Sequence, residues 1–353
     1  MLVSEFDFAL PEALIAQTAA PRGESRLMVL GRNDDRLRHT LISELPRLLQ
    51  PGDVLVVNDT RVFAARLVGR REPSGGAVEC LLLSPVEGEQ QPDEALWDAL
   101  VHPGQKLKPG SLIRFEGAAG SLTAEVLERR FFGRRLLRLR SESRVSIDEL
   151  VDALGHVPLP PYIKRPDADP DRERYQTVYA RVRGSVAAPT AGLHFTAELI
   201  DALGTRGIER VDVTLHVGYG TFKPVRTELV EEHRVDPEHY EISQEAAAAI
   251  ERARREHRRI IAVGTTTTRA LEDAASHNGG RVLPGIRAAT TFIYPGFGFQ
   301  VIDGLLTNFH LPRSSLLMLV CAFAGRERVL SAYRAAVTER YRFYSYGDAM
   351  LIL

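Results

Sequence analysis

The chain has 353 residues, of which 44% are hydrophobic and 26% are charged, with a formal net charge of −1. This composition is typical of a soluble globular protein with one large or two medium domains; it excludes a disordered chain and gives no global basic signal for nucleic acid. Two cysteines, Cys80 and Cys321, exclude a disulfide framework, and without a C-x-x-C pair they fit a reducing, cytoplasmic setting.

The N-terminal segment lacks the basic start of a signal peptide. The longest apolar run, residues 316–324, is far shorter than the roughly 20 residues that span a bilayer. We therefore expect no membrane segment.

The first elements alternate between strand and helix. The apolar runs predict a strand "SRLMVL", a short helix "LISELPRLLQ" and a strand "GDVLVVN". From about Arg66 to about Asp148 the texture changes to short strands separated by turn signals such as "PSGG" and "HPGQKLKPG". Closely spaced short strands of this kind predict a small antiparallel β-barrel or sandwich.

A proline-rich bridge, residues 156–180, is predicted to be extended or turning rather than helical. After it the α/β texture returns. The predicted elements are strand "GSVAAP", helix "TAELIDALGTRG" capped by Thr196, strand "IERVDVTLHV", helix 243–259 capped by Ser243, strand "RIIAVG", helix "TTRALEDAASHNGG", strands "AATTFIY" and "GLLTNF", an apolar helix after Pro312 and strand "AMLIL".

The sequence thus predicts an α/β fold. Residues 1–65 and 156–353 are expected to form one discontinuous α/β domain. Its sheet is predicted to be largely parallel and to form an irregular α/β-barrel. Residues 66–155 are expected to form a small antiparallel β-barrel domain inserted into it.

Polar residues follow at least five of the predicted strands. They are Asn58, Asp59 and Thr60; Thr190 and His194; His216, Tyr219 and Thr221; Thr266 and Arg269; and Asn308 and His310. Because ligands bind at the carboxyl ends of strands in α/β sheets, we expect these side chains to converge on one polar cleft. Each residue alone has an ordinary structural explanation, such as a helix cap or an Asx-turn.

A metal site is not predicted. His194, His216 and His310 show no local ligand spacing, and the irregular "EEHRVDPEHYE", with His233 and Glu238, has the character of a solvated loop.

Two segments are rich in arginine. In "ERARREHRR", the cations fall toward the C-terminus of the helix that begins after Ser243, where they complement the helix dipole. In residues 128–144 the arginines alternate as on a half-exposed strand, either as an RNA contact or as protection of a sheet edge.

Many long motifs in order resemble the S-adenosylmethionine:tRNA ribosyltransferase-isomerase family of queuosine biosynthesis. Among them are "GDVLVVNDTRV", "PLPPYIKR", "GSVAAPTAGLHFT", "HVGYGTFKPV", "GTTTTRALE", "LLTNFHLPRSSLLMLV" and "YRFYSYGDAMLI". The resemblance runs from the N-terminal strands to the last residues and is weakest in the β-rich insert. This sequence departs from the family pattern at Val235-Asp236, Thr291 and Gly298.

The resemblance implies transfer of the ribosyl group of S-adenosylmethionine to the 7-aminomethyl-7-deazaguanine wobble base of tRNA. Isomerisation then gives epoxyqueuosine-tRNA, adenine and methionine. No metal or separate cofactor is implied, since S-adenosylmethionine is a co-substrate. The expected partners are tRNA with a GUN-type anticodon and S-adenosylmethionine, and a cytoplasmic monomer is expected.

This reaction needs a base for the acidified ribose 5′ carbon and an acid for the departing adenine. His194 or His216 is the expected base or acid, and Asp59 is expected to accept from the amine or hold the ribose. Tyr219 or Phe222 is expected to face the sulfonium or adenine. The remaining substrate-binding candidates are Asn58, Thr60, Thr190, Thr221, Thr266, Arg269, Asn308 and His310.

The predicted RNA contacts are Arg134, Arg135, Arg138, Lys164 and Arg165. Two alternatives stay open. A hydrolase of nucleosides would release a free base without modifying tRNA, and a non-catalytic RNA-binding protein would give no product.

Overall fold

The structure, a computed structural model, describes residues 1–34, 36–86, 93–143, 145–222 and 224–353, without the side chains of Phe132 and Phe222. Its strands are β1 (Arg26–Leu30), β2 (Leu37–Leu41), β3 (Val54–Asn58), β4 (Thr60–Val62), β5 (Arg66–Glu72), β6 (Gly76–Pro85), β7 (Glu94–His102), β8 (Leu112–Gly117), β9 (Gly120–Arg129), β10 (Arg134–Ser141), β11 (Val182–Ser185), β12 (Glu209–Leu215), β13 (Glu238–Ile242), β14 (Ile260–Val263), β15 (Gly285–Ala289), β16 (Gly304–Asn308) and β17 (Ala349–Ile352). The helices are α1 (Leu45–Leu48), α2 (Ile147–Leu154), α3 (Asp169–Arg174), α4 (Ala197–Thr205), α5 (Gln244–Arg255), α6 (Thr265–His277), α7 (Ser315–Ala324) and α8 (Arg326–Thr338).

Nine strands form one sheet in the order β15-β13-β12-β3-β14-β16-β17-β1-β2. Strands β12, β3, β14 and β16 are parallel, whereas β17 runs antiparallel to β16. Every residue of β3 and β14 is buried, because helices cover both faces of the central strands and favour continuous apolar runs there. Where the sequence predicted an irregular, largely parallel barrel, the structure has a mixed sheet with a parallel centre.

Six antiparallel strands close into a small barrel in the order β10-β7-β6-β5-β8-β9. Burial alternates along β9 and β10, so one face of each strand fills the barrel core around Trp97, Phe115 and Leu137. The predicted α/β fold with an inserted small antiparallel barrel is confirmed.

The predicted helix caps form as expected. The Thr196 hydroxyl accepts from the Leu199 amide at 3.0 Å, and the Ser243 hydroxyl accepts from the Ala246 amide at 3.1 Å. Helix α5 ends at Arg255, short of the predicted residue 259, and His257 has a left-handed φ of 55°.

Two local predictions are wrong. The bridge contains helix α3, since Pro170 occupies its first turn, where proline needs no amide partner. The strand predicted at 288–294 ends at Ala289, because the amides of Thr290 and Thr291 donate instead to the Asp273 carboxylate.

No helix in the described ranges is long and apolar enough to cross a membrane.

Candidate functional site

Cleft A is a depression beside the ends of β14 and β16. Its lining residues are Tyr162, Ala187, Ala188, Pro189, Thr190, Ala191, Val217, Thr221, Gly264, Thr265, Thr266, Thr307, Asn308, His310, Leu316, Tyr344 and Ser345. Five of the residues predicted from strand ends therefore meet here: Thr190, Thr221, Thr266, Asn308 and His310. The hydroxyl, amide and imidazole groups among the lining residues suit a small polar molecule.

Three buried polar atoms at this cleft lack a hydrogen-bond partner. Thr266 Oγ1 and Asn308 Oδ1 belong to lining residues, and His194 Nε2 belongs to the adjacent turn Thr190–His194. They are half of the six such side-chain atoms in the described part of the chain. Because an unpaired buried polar atom costs about 1–3 kcal/mol, three such atoms close together favour a polar molecule at this place.

His194 is buried behind the cleft and is neutral at pH 7. It is 3% exposed, and its Nδ1 lies 2.8 Å from the Ser25 hydroxyl. Burial lowers its pKa to about 4, while the neighbouring Asn308 side chain acts in the opposite direction. A neutral imidazole held at one nitrogen leaves the other to exchange a proton.

His310 is also neutral but has its ring nitrogen engaged. Its Nε2 lies 2.9 Å from the Thr307 hydroxyl, and its amide donates to the Tyr333 hydroxyl at 3.1 Å. Burial lowers its pKa to about 3. The histidine and Thr307 therefore brace the turn that carries Asn308.

Two tyrosines that sequence reasoning missed form an aromatic wall of cleft A. The rings of Tyr162 and Tyr344 have centroids 3.9 Å apart, and the Tyr344 carbonyl accepts from Asn308 Nδ2 at 2.9 Å. Tyr344 has φ of 74°, a left-handed conformation that is strained for a bulky residue and is found mostly at functional sites. The tyrosine-rich "YRFYSYGD" was the available signal.

Cleft B adjoins cleft A and shares Thr221 and Leu316 with it. Its other lining residues are Gly220, His233, Arg234, Val235, Asp236, Glu238, Arg269, Phe292, Ile293, Ser315 and Leu319. The His233 ring packs edge-on against Phe292 at 5.1 Å, and burial lowers the His233 pKa.

A buried ion pair supports the wall between the clefts. Glu238 is 4% exposed on β13, so the prediction of a wholly solvated loop over 231–241 is wrong. Its carboxylate accepts from Arg269 at 2.5 Å, from the Gly218 amide at 2.9 Å and from the Thr221 hydroxyl at 3.0 Å. Arg269, which was predicted to bind the ligand and lines cleft B, also donates to the backbone carbonyls of residues 289 and 291, and these bonds hold its guanidinium in place.

The polar residues after β3 form a separate cluster that lines neither cleft. Asn58 Oδ1 accepts from the Leu215 amide at 3.0 Å, and Asn58 Nδ2 donates to the Leu215 carbonyl at 2.9 Å. The Thr60 hydroxyl lies 2.8 Å from His216 Nδ1. The Asp59 carboxylate accepts from Thr214 and Arg181, both at 2.6 Å.

This separation follows from the chain path: only Asp59 lies between β3 and β4, and β4 pairs with β11 beside that strand end. Burial is the first cause of a lowered His216 pKa, and the ring packs so closely on Gly184 that a Cβ there would lie 2.6 Å from it.

Tyr219 lines neither cleft but a groove between the barrel and the proline-rich bridge, together with Lys164 and Arg165. The side chain of Phe222 lies outside the described part of the structure.

The predicted RNA-binding cations are mostly paired. Arg135 is 3% exposed, and its guanidinium donates to four backbone carbonyls. Arg138 pairs with Glu94 and Glu125, and Arg165 makes two bonds to Asp171 at 2.6 and 2.8 Å. Lys164 pairs with Glu12 at the surface, and Arg134 pairs with Asp236 at 3.1 Å.

Within the described ranges, no group of three or more His, Cys, Asp or Glu side chains could hold a metal ion. A mixed α/β sheet with a polar cleft at its strand ends, beside a small antiparallel barrel, defines the class: an α/β protein whose cleft suits a small polar ligand.

The chain belongs to the queuosine biosynthesis protein family, whose sequence pattern matches residues 3–352. It is 50% identical over 354 residues to the S-adenosylmethionine:tRNA ribosyltransferase-isomerase of Heliobacterium modesticaldum. It is 51% identical over 354 residues to the protein of the same name from Carboxydothermus hydrogenoformans. Both comparisons cover 100% of this chain and 100% of the relative. A crystal structure of S-adenosylmethionine tRNA ribosyltransferase from Thermotoga maritima is 38% identical and has a TM-score of 0.54, covering 99% of this chain and 100% of that one.

Proposed function

We propose that this protein transfers and isomerises the ribosyl group of S-adenosylmethionine onto the 7-aminomethyl-7-deazaguanine wobble base of tRNA. The products are epoxyqueuosine-tRNA, adenine and methionine. Full-length relatives that carry this activity in their names support the proposal. The observation that carries it in this chain is the cluster of unpaired buried polar atoms at cleft A, which suits the hydroxyl-rich ribosyl group.

The reacting ribosyl group binds in cleft A. The hydroxyls of Thr190 and Thr266 and the amide of Asn308 are the groups available to its oxygen atoms. Tyr162 and Tyr344 offer aromatic surface to the sulfonium or to adenine, which is favourable for a cation over a ring. This assignment moves the aromatic role from Tyr219 and Phe222 to the tyrosine pair.

His194 is the proposed proton acceptor. It is neutral, it is anchored by Ser25, and its unpaired nitrogen is next to Asn308. The hydrogens on the ribose 5′ carbon are acidified by the sulfonium, so a weakly basic imidazole in a buried site can serve. His216 and Asp59 are assigned structural roles, because they line neither cleft. Thr60 bonds His216 Nδ1, and Thr214 and Arg181 bond the Asp59 carboxylate.

The wobble base reaches the ribosyl group from cleft B or from the groove that Tyr219 lines, since the loop 219–221 borders all three depressions. We propose tRNA with a GUN-type anticodon as the RNA partner, a cytoplasmic monomer as the working form, and no cofactor besides the co-substrate. We also propose the division into an α/β domain of residues 1–65 and 156–353 and an inserted domain of residues 66–155.

The direct test is to incubate the protein with S-adenosylmethionine and a tRNA that carries the aminomethyl-deazaguanine base, and to follow RNA and small molecules by mass spectrometry. Free adenine and methionine, with one ribosyl unit added to the RNA, are expected. A tRNA whose mass stays unchanged while the protein is folded would refute the proposal. Release of free base alone would instead indicate a nucleoside hydrolase.

A further inference from the structure

The tip of the β9–β10 hairpin carries the most exposed large hydrophobic side chain of the described residues. Phe131 is 87% exposed, whereas the barrel aromatics Trp97 and Phe115 are 5% and 1% exposed. Nothing in the barrel core requires an aromatic residue at this position, since the short turn Phe131–Gly133 lies beyond the paired strands.

Cations surround this phenylalanine. Arg129 is exposed and makes no ion pair within the described ranges, while Arg130 pairs with Asp98 at 2.6 Å. Arg134 follows three residues after Phe131. An exposed aromatic ring among arginines is unsuited to burial against an apolar protein surface, but it matches a base and its phosphates.

The hairpin tip also lies beside the proposed site. Arg134 donates to Asp236 at 3.1 Å, and Asp236 lines cleft B. Three residues of chain span at most about 11 Å, so the Phe131 Cα lies within that distance of the Arg134 Cα, and the Arg134 side chain reaches from there to the cleft wall. A nucleotide next to one that enters the cleft can reach the ring.

We propose that Phe131 is a stacking residue for an unpaired RNA base that neighbours the modified nucleotide, and that Arg129 contacts the adjoining phosphate. The inference rests on the proposed function and deepens it by naming an RNA-binding surface on the barrel. Single-stranded loops are recognised by such stacking, which tolerates any base because every base has an aromatic face. Arg135 was predicted to contact RNA but is buried, so we assign the RNA contact of this hairpin to Phe131 instead.

The test compares four proteins: wild type, Phe131→Ala, Phe131→Trp and Val68→Ala. Val68 is a matched control, since it is an exposed barrel residue on another strand, β5. The Kd for tRNA, the KM for tRNA and the KM for S-adenosylmethionine are measured for each. We expect F131A to raise Kd and KM for tRNA about tenfold with an unchanged KM for S-adenosylmethionine. F131W and V68A should stay within about twofold of wild type.

A second arm uses salt. Arg129→Gln should weaken the binding of all tRNAs. It should also reduce the steepness of the logarithm of the association constant plotted against the logarithm of salt concentration by about one unit, which corresponds to one lost phosphate contact. Equal tRNA affinity of F131A and wild type would overturn the proposal. A concentration-dependent dimer that F131A abolishes would also overturn it, because the ring would then bind a second copy of the chain. If F131A weakens tRNA binding but wild type forms no epoxyqueuosine-tRNA, the proposed reaction is wrong and the proposed stacking of Phe131 on RNA is supported.

Discussion

Replacing Glu238 by glutamine tests whether one buried ion pair holds the wall between the two clefts. Glutamine keeps the shape of glutamate and one oxygen for the Gly218 amide and the Thr221 hydroxyl. It removes the negative charge facing Arg269, which is 8% exposed. The remaining charge is then buried without a counter-charge.

Losing one partner of a buried pair costs about 3–5 kcal/mol. Unfolding entropy is about 2.1 cal/mol/K per residue, or roughly 0.7 kcal/mol/K for 353 residues. If the chain unfolds cooperatively, Tm should therefore fall by about 4–7 °C in calorimetry. Because Thr221 lines both clefts, kcat/KM should also fall, by roughly 10- to 100-fold.

The matched control is Glu241→Gln, which removes an exposed carboxylate from the same strand. It should change Tm by less than about 1 °C. The double variant E238Q/R269M should be more stable than E238Q, since it removes the unpaired charge. An E238Q protein with wild-type Tm and turnover would refute this account of the wall.

The buried histidines and the internal arginine of β10 give three further expectations. His194→Ala should lower turnover at least ~100-fold, whereas His216→Ala should mainly lower Tm; equal turnover of the two variants would remove the proton-transfer assignment. His310, with a folded pKa near 3 against 6.5 for the ordinary group, stabilises the fold above pH 6.5 and loses this contribution as pH falls, by up to ~1.4 kcal/mol per pH unit. The Tm of His310→Asn should thus depend less on pH between 6.5 and 4 than that of wild type, and parallel curves would contradict the reasoning. Arg135→Ala should lower Tm with little change in tRNA affinity at a temperature where it is folded, in contrast to the surface variant Arg140→Ala, which should leave Tm within about 1 °C.

Much of the cleft was predictable from local pattern. Thr190, Thr266 and Asn308 each follow an apolar strand, and all three line cleft A. The carboxyl ends of neighbouring parallel strands meet at one edge, so a polar residue after β14 or β16 has little choice of location.

The same rule did not bring Asn58 and Asp59 to the cleft. Their strand, β3, is also parallel and central, but the next residues form β4 and pair with β11 above the strand end. Strand β4 has three residues and pairs with a strand more than 100 residues away in the sequence. Hydrophobic periodicity cannot predict such a pairing, so the burial of Asn58 and Asp59 could be known only from the tertiary structure.

The sequence by itself determined the alternation of helices and strands, the inserted barrel and the polar strand ends, because hydrophobic periodicity and turn residues act over a few residues. Only the tertiary structure decided that Arg135 points into the barrel, that Glu238 is buried against Arg269, and that Tyr162 and Tyr344 meet at the cleft. Charged and aromatic side chains take their roles from the element packed beside them, and residues 162 and 344 become neighbours only when the bridge and the C-terminal segment fold together.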